Sequence, residues 1–265
     1  MRRTFFSCFM DIKDSGLARI ISLVNQAGGV GKTTLTSNLG FHLAERGARV
    51  LLVDMDPQAS LTRQLGHNPR TVEKAVAHTL LQDEPIPVLS DWHQVDLVPS
   101  NNNSAMLESA LAQTADKEVL LKQGLQTIRN QYDFILIDCP PSLGLSSIMS
   151  LVASTHVLIP IKASDKGLEG ADNLGDTLRR ITTKANKCLR IAGAVPMMFD
   201  KRKVIHRTSN EHIKRTFGKF VVHPPIPEST DFEKSWRART PLAKLFPNHP
   251  AVQSLQAIAA HLETH

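Results

Sequence analysis

The stretch that decides the fold runs from residue 18 to residue 34 and reads ARIISLVNQAGGVGKTT. Its first half is short, apolar and β-branched, which predicts a buried strand over residues 18–25. Three glycines follow, then a lysine and two threonines. Apolar residues next recur at helical spacing, so a helix is predicted over residues 32–46, ending at Gly47. A strand, a glycine-rich loop and a helix in this order open a βαβ unit.

The same alternation of strands and helices continues along the chain. Further strands are predicted at 49–54, 95–99, 134–138, 157–161 and 190–196, and further helices at 116–130, 168–184, 206–217 and 252–262. This order is typical of an α/β fold with a doubly wound, mostly parallel sheet flanked by helices, as in P-loop NTPases. No Pro, Gly or Ser-rich linker interrupts it. We therefore predict one ATPase domain over residues 18–265, preceded by a flexible extension over residues 1–17.

Composition limits the class of protein. Hydrophobic residues make up 42% of the chain and charged residues 21%, as in ordinary globular proteins. Cys8, Cys139 and Cys188 have no C-x-x-C spacing and the histidines no ligand spacing, which argues against disulfide, iron–sulfur and zinc sites and favours the cytoplasm. The first residues lack the long apolar region of a signal peptide, and Met10 is an alternative start of translation. No apolar run approaches a membrane span.

Residues 28–34 predict a phosphate-binding loop. Glycines let successive backbone amides turn inward around an oxyanion, and the helix N-terminus adds partial positive charge. Lys32 is expected to reach the β- and γ-phosphates of ATP, and the hydroxyl of Thr33 to bind Mg²⁺. The expected binding residues are Gly28, Gly29, Val30, Gly31, Lys32, Thr33 and Thr34.

Three carboxylates follow two other predicted strands. Asp54 and Asp56 come at and after the end of the second strand, and Asp138 ends the strand 134–138. Ligands of open α/β sheets bind at the carboxyl ends of the strands, so these acids are expected beside the phosphate-binding loop. There, Asp54 and Asp138 could hold Mg²⁺ directly or through water, and a carboxylate could orient the attacking water. Capping of the strand ends is the alternative role for Asp54 and Asp138.

Three motifs in order resemble the ParA/MinD family of ATPases, which carry a deviant Walker-type P-loop. They are AGGVGKT at 27–33, DMDPQ at 54–58 and IDCPP at 137–141, and the likeness extends over residues 18–262. The resemblance implies that Asp56 positions the hydrolytic water, that Asp138 assists Mg²⁺ and that Pro227 lies near the adenine. It also implies a sandwich homodimer with ATP between the subunits.

One position departs from the family pattern. The first P-loop lysine of the family, which reaches the phosphates of the partner subunit, is Ala27 here. Alanine offers neither charge nor hydrogen bond, so that contact must be absent or replaced. ATPases that position carboxysomes are similar in lacking this lysine. Lys162 and Lys166, after a predicted strand, are candidate replacements, with Lys166 slightly preferred because Gly167 would let a loop approach phosphate. Both could equally be ordinary surface lysines.

The basic charge is concentrated near the carboxyl terminus. Residues 1–180 hold 17 Lys and Arg against 19 Asp and Glu, whereas residues 181–265 hold 14 against 6. Such an imbalance indicates a polyanionic partner, with a solvated surface as the alternative. Lysines and arginines without interleaved aromatic residues are expected to contact DNA phosphates. They are not expected to read the bases or to stack on them. ParA-like proteins bind nucleoid DNA from this part of the chain. The candidate residues are Lys201, Arg202, Lys203, Arg207, Lys214, Arg215 and Lys219.

These observations together predict a cytoplasmic, nucleoid-associated ATPase. It would dimerise with ATP and Mg²⁺, bind double-stranded DNA non-specifically and position a plasmid, a chromosomal locus or a microcompartment such as the carboxysome. A cargo adaptor protein would stimulate hydrolysis. One alternative is a MinD-like membrane-associated division-site regulator, which residues 251–265 disfavour because they carry no Lys or Arg for a lipid surface. The other is a metabolic ATPase of the same fold, which the basic surface and the unpaired cysteines disfavour.

Overall fold

The computed structural model describes residues 18–264, of which residues 91, 165–167, 170 and 172 are described by their backbone only. The predicted extension over residues 1–17 lies outside the described residues. One sheet holds seven strands in the order β3-β4-β2-β5-β1-β6-β7. The strands are β1 (Arg19–Leu23), β2 (Val50–Asp54), β3 (Leu89–Trp92), β4 (Val95–Val98), β5 (Phe134–Asp138), β6 (His156–Lys162) and β7 (Arg190–Met197).

Every neighbouring pair is parallel except β3 with β4, which is antiparallel. The predicted doubly wound, mostly parallel sheet is confirmed. Strand β3 was not predicted, because its sequence LSDW has no alternating apolar pattern. It lies at the edge of the sheet, where pairing with one neighbour is enough to form a short strand.

Helices cover both faces of the sheet. They are α1 (Lys32–Glu45), α2 (Ser60–Gln64), α3 (Val76–Gln82), α4 (Leu107–Ala110), α5 (Leu120–Gln126), α6 (Leu145–Ala153), α7 (Asp165–Lys184), α8 (Val204–Phe217), α9 (Asp231–Arg237), α10 (Leu242–Leu245) and α11 (Pro250–Thr264). The predicted helices at residues 32–46, 168–184, 206–217 and 252–262 correspond to α1, α7, α8 and α11. The shorter helices have too few turns to leave a periodic signal, and packing against neighbours stabilises them.

The helix predicted over residues 116–130 is wrong in its extent. Asp116 has a φ of 50°, which belongs to the left-handed region and cannot start an α-helix. A 3₁₀ turn follows at Lys117–Val119, then α5, then a second 3₁₀ turn at Arg129–Gln131. The segment therefore packs as three short pieces.

Two apolar cores lie on opposite faces of the sheet. Alternate residues of β2 point to opposite sides, so Leu51 joins one core and Leu52 the other. The first core holds the apolar faces of α3, α5, α6 and α7, and the second those of α1 and α11. Within the second core, Gly40 of α1 lies so close to Leu52 that an added Cβ would come within 2.8 Å of its side chain.

Helix α11 docks onto this second core, as the sequence predicted. Its apolar residues are buried, and Arg46 beyond α1 forms an ion pair of 2.6 Å with Glu263. The buried positions are Val252, Leu255, Ile258 and Leu262. Among the helices of residues 18–264, none is long and apolar enough to cross a membrane.

Candidate nucleotide-binding site

The predicted phosphate-binding loop joins β1 to α1 and lies at the carboxyl ends of the sheet's parallel strands. Gly29 and Gly31 have φ values of 66° and 91°, which favour glycine. A Cβ on Gly31 would also lie 2.9 Å from the methyl carbon of Met197. Asn25 braces the loop: its Nδ2 donates to the carbonyl of Pro160 at 2.8 Å, and its Oδ1 accepts from the amide of Ala27 at 2.9 Å.

Lys32 begins α1 and is only 7% exposed. Its Nζ donates to the carbonyl of Asn25 at 3.0 Å and to that of Ala27 at 3.2 Å, so the ammonium lies inside the loop. Burial lowers the pKa of Lys32, and the nearby carboxylates, Asp138 foremost, oppose this shift. The loop thus holds a positive charge at a helix N-terminus, which suits a phosphate.

Thr33 and Asp138 are brought together from positions 105 residues apart. The hydroxyl of Thr33 donates to Oδ2 of Asp138 at 2.6 Å, and both residues lie at the carboxyl edge of the sheet. The other oxygen, Oδ1, is buried and has no hydrogen-bond partner within residues 18–264. A buried carboxylate oxygen without a donor is costly, and a hydrated divalent cation would satisfy it. A hydroxyl and a carboxylate are also oxygen ligands of the kind Mg²⁺ prefers.

Asp54 lies beside Asp138, because the two are register partners at the ends of β2 and β5. Both side chains are fully buried. Burial raises the pKa of Asp54 to about 6, although hydrogen bonds from Thr62 lower it. Burial, and then the charge of Asp54, raise the pKa of Asp138 well above its usual range. Two adjacent buried carboxylates hold a proton more tightly than exposed ones, and a cation between them would displace it.

Asp54 differs from Asp138 in its hydrogen bonds. Its Oδ2 accepts from the amide of Thr62 at 2.8 Å and from the hydroxyl of Thr62 at 2.7 Å, and its Oδ1 accepts from the amide of Asp56 at 3.2 Å. Both oxygens are therefore engaged, and Asp54 clamps helix α2 to the end of β2. This makes Asp138 the better placed of the two for a metal ion.

Asp56 lies in the turn that joins β2 to α2. Its Oδ1 accepts from the amide of Gln58 at 2.8 Å, and its carbonyl accepts from the hydroxyl of Ser100 at 2.9 Å. The amide of Ser100 donates to the hydroxyl of Thr62 at 2.9 Å. Thr62 and Ser100 were not predicted as site residues. The sequence hinted at Ser100 only weakly, because a polar stretch that begins just after a strand can contribute to a binding site.

A cavity of about 1070 Å³ opens next to the loop. Gly31 and Thr34 line it from the loop, Met198 from the end of β7, and Pro227 from the segment after the 3₁₀ turn at 218–220. This segment is fixed to β7, since the amide of Ile226 donates to the carbonyl of Pro196 at 2.9 Å. The space is large enough for a nucleoside, and the structure places Pro227 in its wall.

The two candidate replacement lysines lie after β6. Lys162 ends β6, is half-buried and pairs in register with Met197, so it stands at the same edge as the loop. The side chain of Lys166 lies outside the described part of the chain. Residues 165–167 belong to the first turn of α7, so Gly167 lies in a helix and not in the loop that the sequence predicted.

The seven basic residues proposed for DNA form two groups. Lys201, Arg202 and Lys203 line the 1070 Å³ cavity, so they lie near the nucleotide site. The others belong to α8 or follow it, all exposed, with the buried side of α8 packed on the core. They are Arg207, Lys214, Arg215 and Lys219.

Acids offset part of this charge. Arg202 forms an ion pair with Asp200 at 2.9 Å, and Lys203 pairs with Glu228. Lys214 pairs with Glu211 at 2.8 Å on the exposed face of α8. All of these residues are exposed or at the surface, where such pairs exchange readily with other anions.

Comparison with known proteins agrees with the geometry. The family described as AAA domain (AAA_31) matches residues 18–191. The sporulation initiation inhibitor protein Soj of Bacillus subtilis (strain 168) is 39% identical over 216 residues, which are 80% of this chain and 85% of Soj. The chromosome partitioning protein ParA of Myxococcus xanthus (strain DK1622) is 35% identical over 216 residues, or 80% of this chain and 76% of that protein.

A solved structure resembles the whole described fold. The crystal structure of cobyrinic acid a,c-diamide synthase from Mycobacterium smegmatis, with bound ATP analog and magnesium, has a TM-score of 0.84 and 30% identity, covering 94% of this chain and 95% of that one. ATP and Mg²⁺, the cofactors expected from the sequence, match the ligands of that structure. The P-loop, the strand-end acids and these relatives show that the chain belongs to the ParA/MinD family of P-loop ATPases.

Proposed function

We propose that the protein is an ATPase that dimerises with ATP, binds double-stranded DNA non-specifically and positions a cargo over the nucleoid. The observation that carries the proposal is the contact between Thr33 and Asp138, beside the loop that holds Lys32. One carboxylate oxygen of Asp138 has no partner among residues 18–264. The cargo, which is a plasmid, a chromosomal locus or a microcompartment such as the carboxysome, would be recognised through an adaptor protein.

ATP supplies the phosphoryl group, and the bound Mg²⁺ neutralises charge on its phosphates. Residues 28–34 would surround the phosphates with backbone amides, and Lys32 would exchange its contacts to loop carbonyls for phosphate oxygens. Thr33 and Asp138 would hold Mg²⁺, directly or through water. Within residues 18–264 no three His, Cys, Asp or Glu side chains converge on one point, so phosphate oxygens and water would complete the coordination.

Asp56 is proposed to orient the hydrolytic water. It is 9% exposed and lies in the turn between β2 and α2. Its Oδ1 accepts from the amide of Gln58, which leaves Oδ2 to turn toward a water molecule. Asp54, by clamping α2 through Thr62, would keep this turn in place.

The dimer interface needs a cation in this chain, because Ala27 has replaced the lysine that the family places there. Two triphosphates facing each other repel, and an ammonium group between them would offset that repulsion. Lys162 is the proposed source, since it stands at the loop edge of the sheet. Lys166 is the second candidate.

The DNA surface is proposed to comprise the exposed basic residues of α8 and the group before it. Release from DNA would follow hydrolysis, stimulated by the adaptor protein. Localisation in the cytoplasm on the nucleoid is part of this proposal.

A second candidate function is a metabolic ATPase, favoured by the 30% identity to the cobyrinic acid a,c-diamide synthase structure. A membrane-associated division-site regulator is less well supported, since the apolar residues of α11 are buried in the core. One experiment separates the three: hydrolysis of ATP is measured with and without non-specific double-stranded DNA and anionic vesicles, alongside ATP-dependent co-sedimentation with each. Binding to DNA that requires ATP supports the proposal. Binding to vesicles only, or activity with no response to either surface, contradicts it.

A further inference from the structure

A second cavity, of about 370 Å³, is lined by residues of α2 and α9 and of the segments that follow them. Arg63 of α2 and the following residues His67, Asn68 and Pro69 form one wall. Trp236, Arg237 and Arg239, at and after the end of α9, form the other. None of these residues lines the cavity beside the P-loop, so the two cavities are separate. The volume falls in the range of small-molecule sites.

The cavity carries a net positive charge. Arg237 forms an ion pair with Glu233 at 2.6 Å. Within residues 18–264, Arg63 and Arg239 have no carboxylate at ion-pair distance. Burial lowers the pKa of His67, so its ring adds no charge at neutral pH. Two arginines without an acidic partner in the described chain, beside a third, supply the kind of group that binds phosphate by paired hydrogen bonds.

An aromatic ring completes the wall. Trp236 is 40% exposed, although tryptophan is usually much more buried. The other tryptophan of the chain, Trp92, is 7% exposed and its indole donates to the carbonyl of Arg239 at 3.0 Å. An exposed indole beside arginines can stack a planar ring while the guanidinium groups hold an anion.

Arg239 is held in place from several sides. Its φ of 52° is in the left-handed region, which a non-glycine residue adopts only when its surroundings fix it. Trp92 fixes its carbonyl, and its own Nη1 donates to the carbonyl of Gly66 at 3.4 Å. The backbone of Arg239 is therefore fixed, and a single hydrogen bond holds its guanidinium beside Gly66.

The cavity is connected to the nucleotide site by two helices. Arg63 follows Thr62, whose amide and hydroxyl bind Asp54. Helix α9 lines both cavities, with Phe232 and Glu233 on the nucleotide side. A ligand that shifts α2 or α9 would thus act on the residues around Asp54.

We propose that this cavity is an effector site for a small phosphorylated ligand with a planar ring, such as a nucleoside monophosphate, bound by Arg63, Arg239 and Trp236. The ring would stack on Trp236 and the phosphate would lie between the arginines. The effector role rests on the proposed ATP site, whereas the binding itself does not.

Binding is tested on the full chain with its P-loop saturated by Mg²⁺–ADP. GMP, UMP and CMP are titrated while tryptophan fluorescence is followed, and the Trp236→Phe variant identifies the signal. We expect at least one of the three to quench Trp236. Its nucleoside without phosphate, and inorganic phosphate by itself, should bind roughly tenfold more weakly or worse, because each lacks half of the contacts. The double variant Arg63→Ala/Arg239→Ala should lose about tenfold or more in affinity.

Arg70→Ala is the matched control, because Arg70 is an exposed arginine next to Pro69 and outside the cavity. Its affinity should equal that of the parent. Absence of quenching by all three nucleotides up to about 10 mM would overturn the proposal, as would equal binding by the double variant. Quenching by a single-stranded oligonucleotide or an acidic peptide but by no mononucleotide would overturn it in favour of a macromolecular partner.

The effector role has its own readout, the affinity for Mg²⁺–ADP with and without the bound monophosphate. Linkage requires that each ligand change the affinity of the other by the same factor. A change of about fivefold or more in either direction is expected for a coupled site. Monophosphate binding with an unchanged affinity for Mg²⁺–ADP would overturn the effector role. A protein that shows quenching by the monophosphate but hydrolyses no ATP in its absence would instead contradict the proposed function.

Discussion

The hydroxyl of Thr33 donates a hydrogen bond of 2.6 Å to Oδ2 of Asp138, joining the first turn of α1 to the end of β5. The contact exists because β1 and β5 are neighbours in the sheet with Leu23 opposite Asp138, so the loop after β1 passes over the end of β5. The second oxygen of Asp138 is left buried and unpartnered in the described chain. A buried carboxylate oxygen without a hydrogen bond raises the free energy of the protein. A metal ion bound together with a nucleotide at the neighbouring phosphate-binding loop would lower it.

Replacing Lys32 should abolish ATP binding. In Lys32→Ala the backbone amides cannot balance the triphosphate charge without the ammonium group, and titration with ATP and Mg²⁺ should show no saturable binding. Lys32→Gln is the matched variant, because its amide can still donate to the loop carbonyls now bound by Nζ. Tight, Mg²⁺-dependent binding by both variants would refute the assignment of this loop.

Replacing Asp56 should separate ATP binding from hydrolysis. Asp56→Ala and Asp56→Asn should both bind ATP and hydrolyse it at least tenfold more slowly, since water positioning contributes about that much or more. An ATP-bound dimer should then accumulate in size-exclusion chromatography. The asparagine side chain still accepts a hydrogen bond from the amide of Gln58, so the turn should be preserved. This variant therefore tests whether hydrolysis needs the negative charge of Asp56. Parental turnover by Asp56→Asn would exclude this role.

Replacing Asp138 by Asn should stabilise the ligand-free protein and remove its response to Mg²⁺. The pKa of Asp138 is raised by burial and by Asp54, so stability falls as the pH rises from the ordinary carboxyl pKa to this raised pKa, and the full cost persists above it. At pH 7.5 the Tm of Asp138→Asn without ligand should therefore exceed that of the parent.

The sign of the pH dependence follows from the raised pKa values. Below the ordinary carboxyl pKa of about 4, Asp138 is protonated in both the folded and the unfolded protein and costs nothing. The difference in Tm between Asp138→Asn and the parent should therefore be largest above pH 6, where Asp54 with its pKa of about 6 is also ionised, and should shrink toward acid. Thermal unfolding from pH 5 to 8 measures this, and a difference that grows toward acid would contradict the buried-charge explanation.

Reversing two charges on α8 should weaken binding to DNA of any base sequence. Arg207→Glu/Lys214→Glu removes exposed cations, and each lost phosphate contact lowers the slope of log affinity against log salt by about 1. ATPase activity without DNA should persist. Lys122→Glu/Arg70→Glu makes the same change in net charge at exposed positions far from this helix in sequence. An equal loss of affinity in both double variants would show that net charge, not this surface, governs binding.

Replacing Lys162 should abolish dimerisation and leave monomeric ATP binding intact. The ammonium of Lys162 is expected to offset the repulsion between the two triphosphates, which Ala27 cannot do. Ala27→Lys in the same chain should partly restore the dimer. Lys187→Ala is the control, since Lys187 is exposed and precedes β7 at the opposite edge of the sheet. Lys166→Ala tests the second candidate, and ATP-dependent dimers in both Lys162→Ala and Lys166→Ala would leave the interface without a replacement cation.

The sequence by itself determined the fold class and the family. Local features suffice for this: the buried strands are continuous apolar runs, the glycines precede Lys32 at a helix start, and Asp54 and Asp138 end strands whose parallel pairing puts them at one edge. The long helices also follow from their period, because one face of each has to pack on the sheet.

Only the tertiary structure decided how the acids differ and what braces them. Asp54 and Asp138 look alike in sequence, yet Thr62 binds Asp54 because helix α2 packs over the end of β2. Asp138 keeps one oxygen without a partner in the part of the chain that the structure describes. Whether residues 165–167 form a loop or a helix likewise depends on contacts with distant parts of the chain. The cavity between Arg63 and Arg239 joins residues far apart in sequence, because side-chain contacts across elements leave no local pattern.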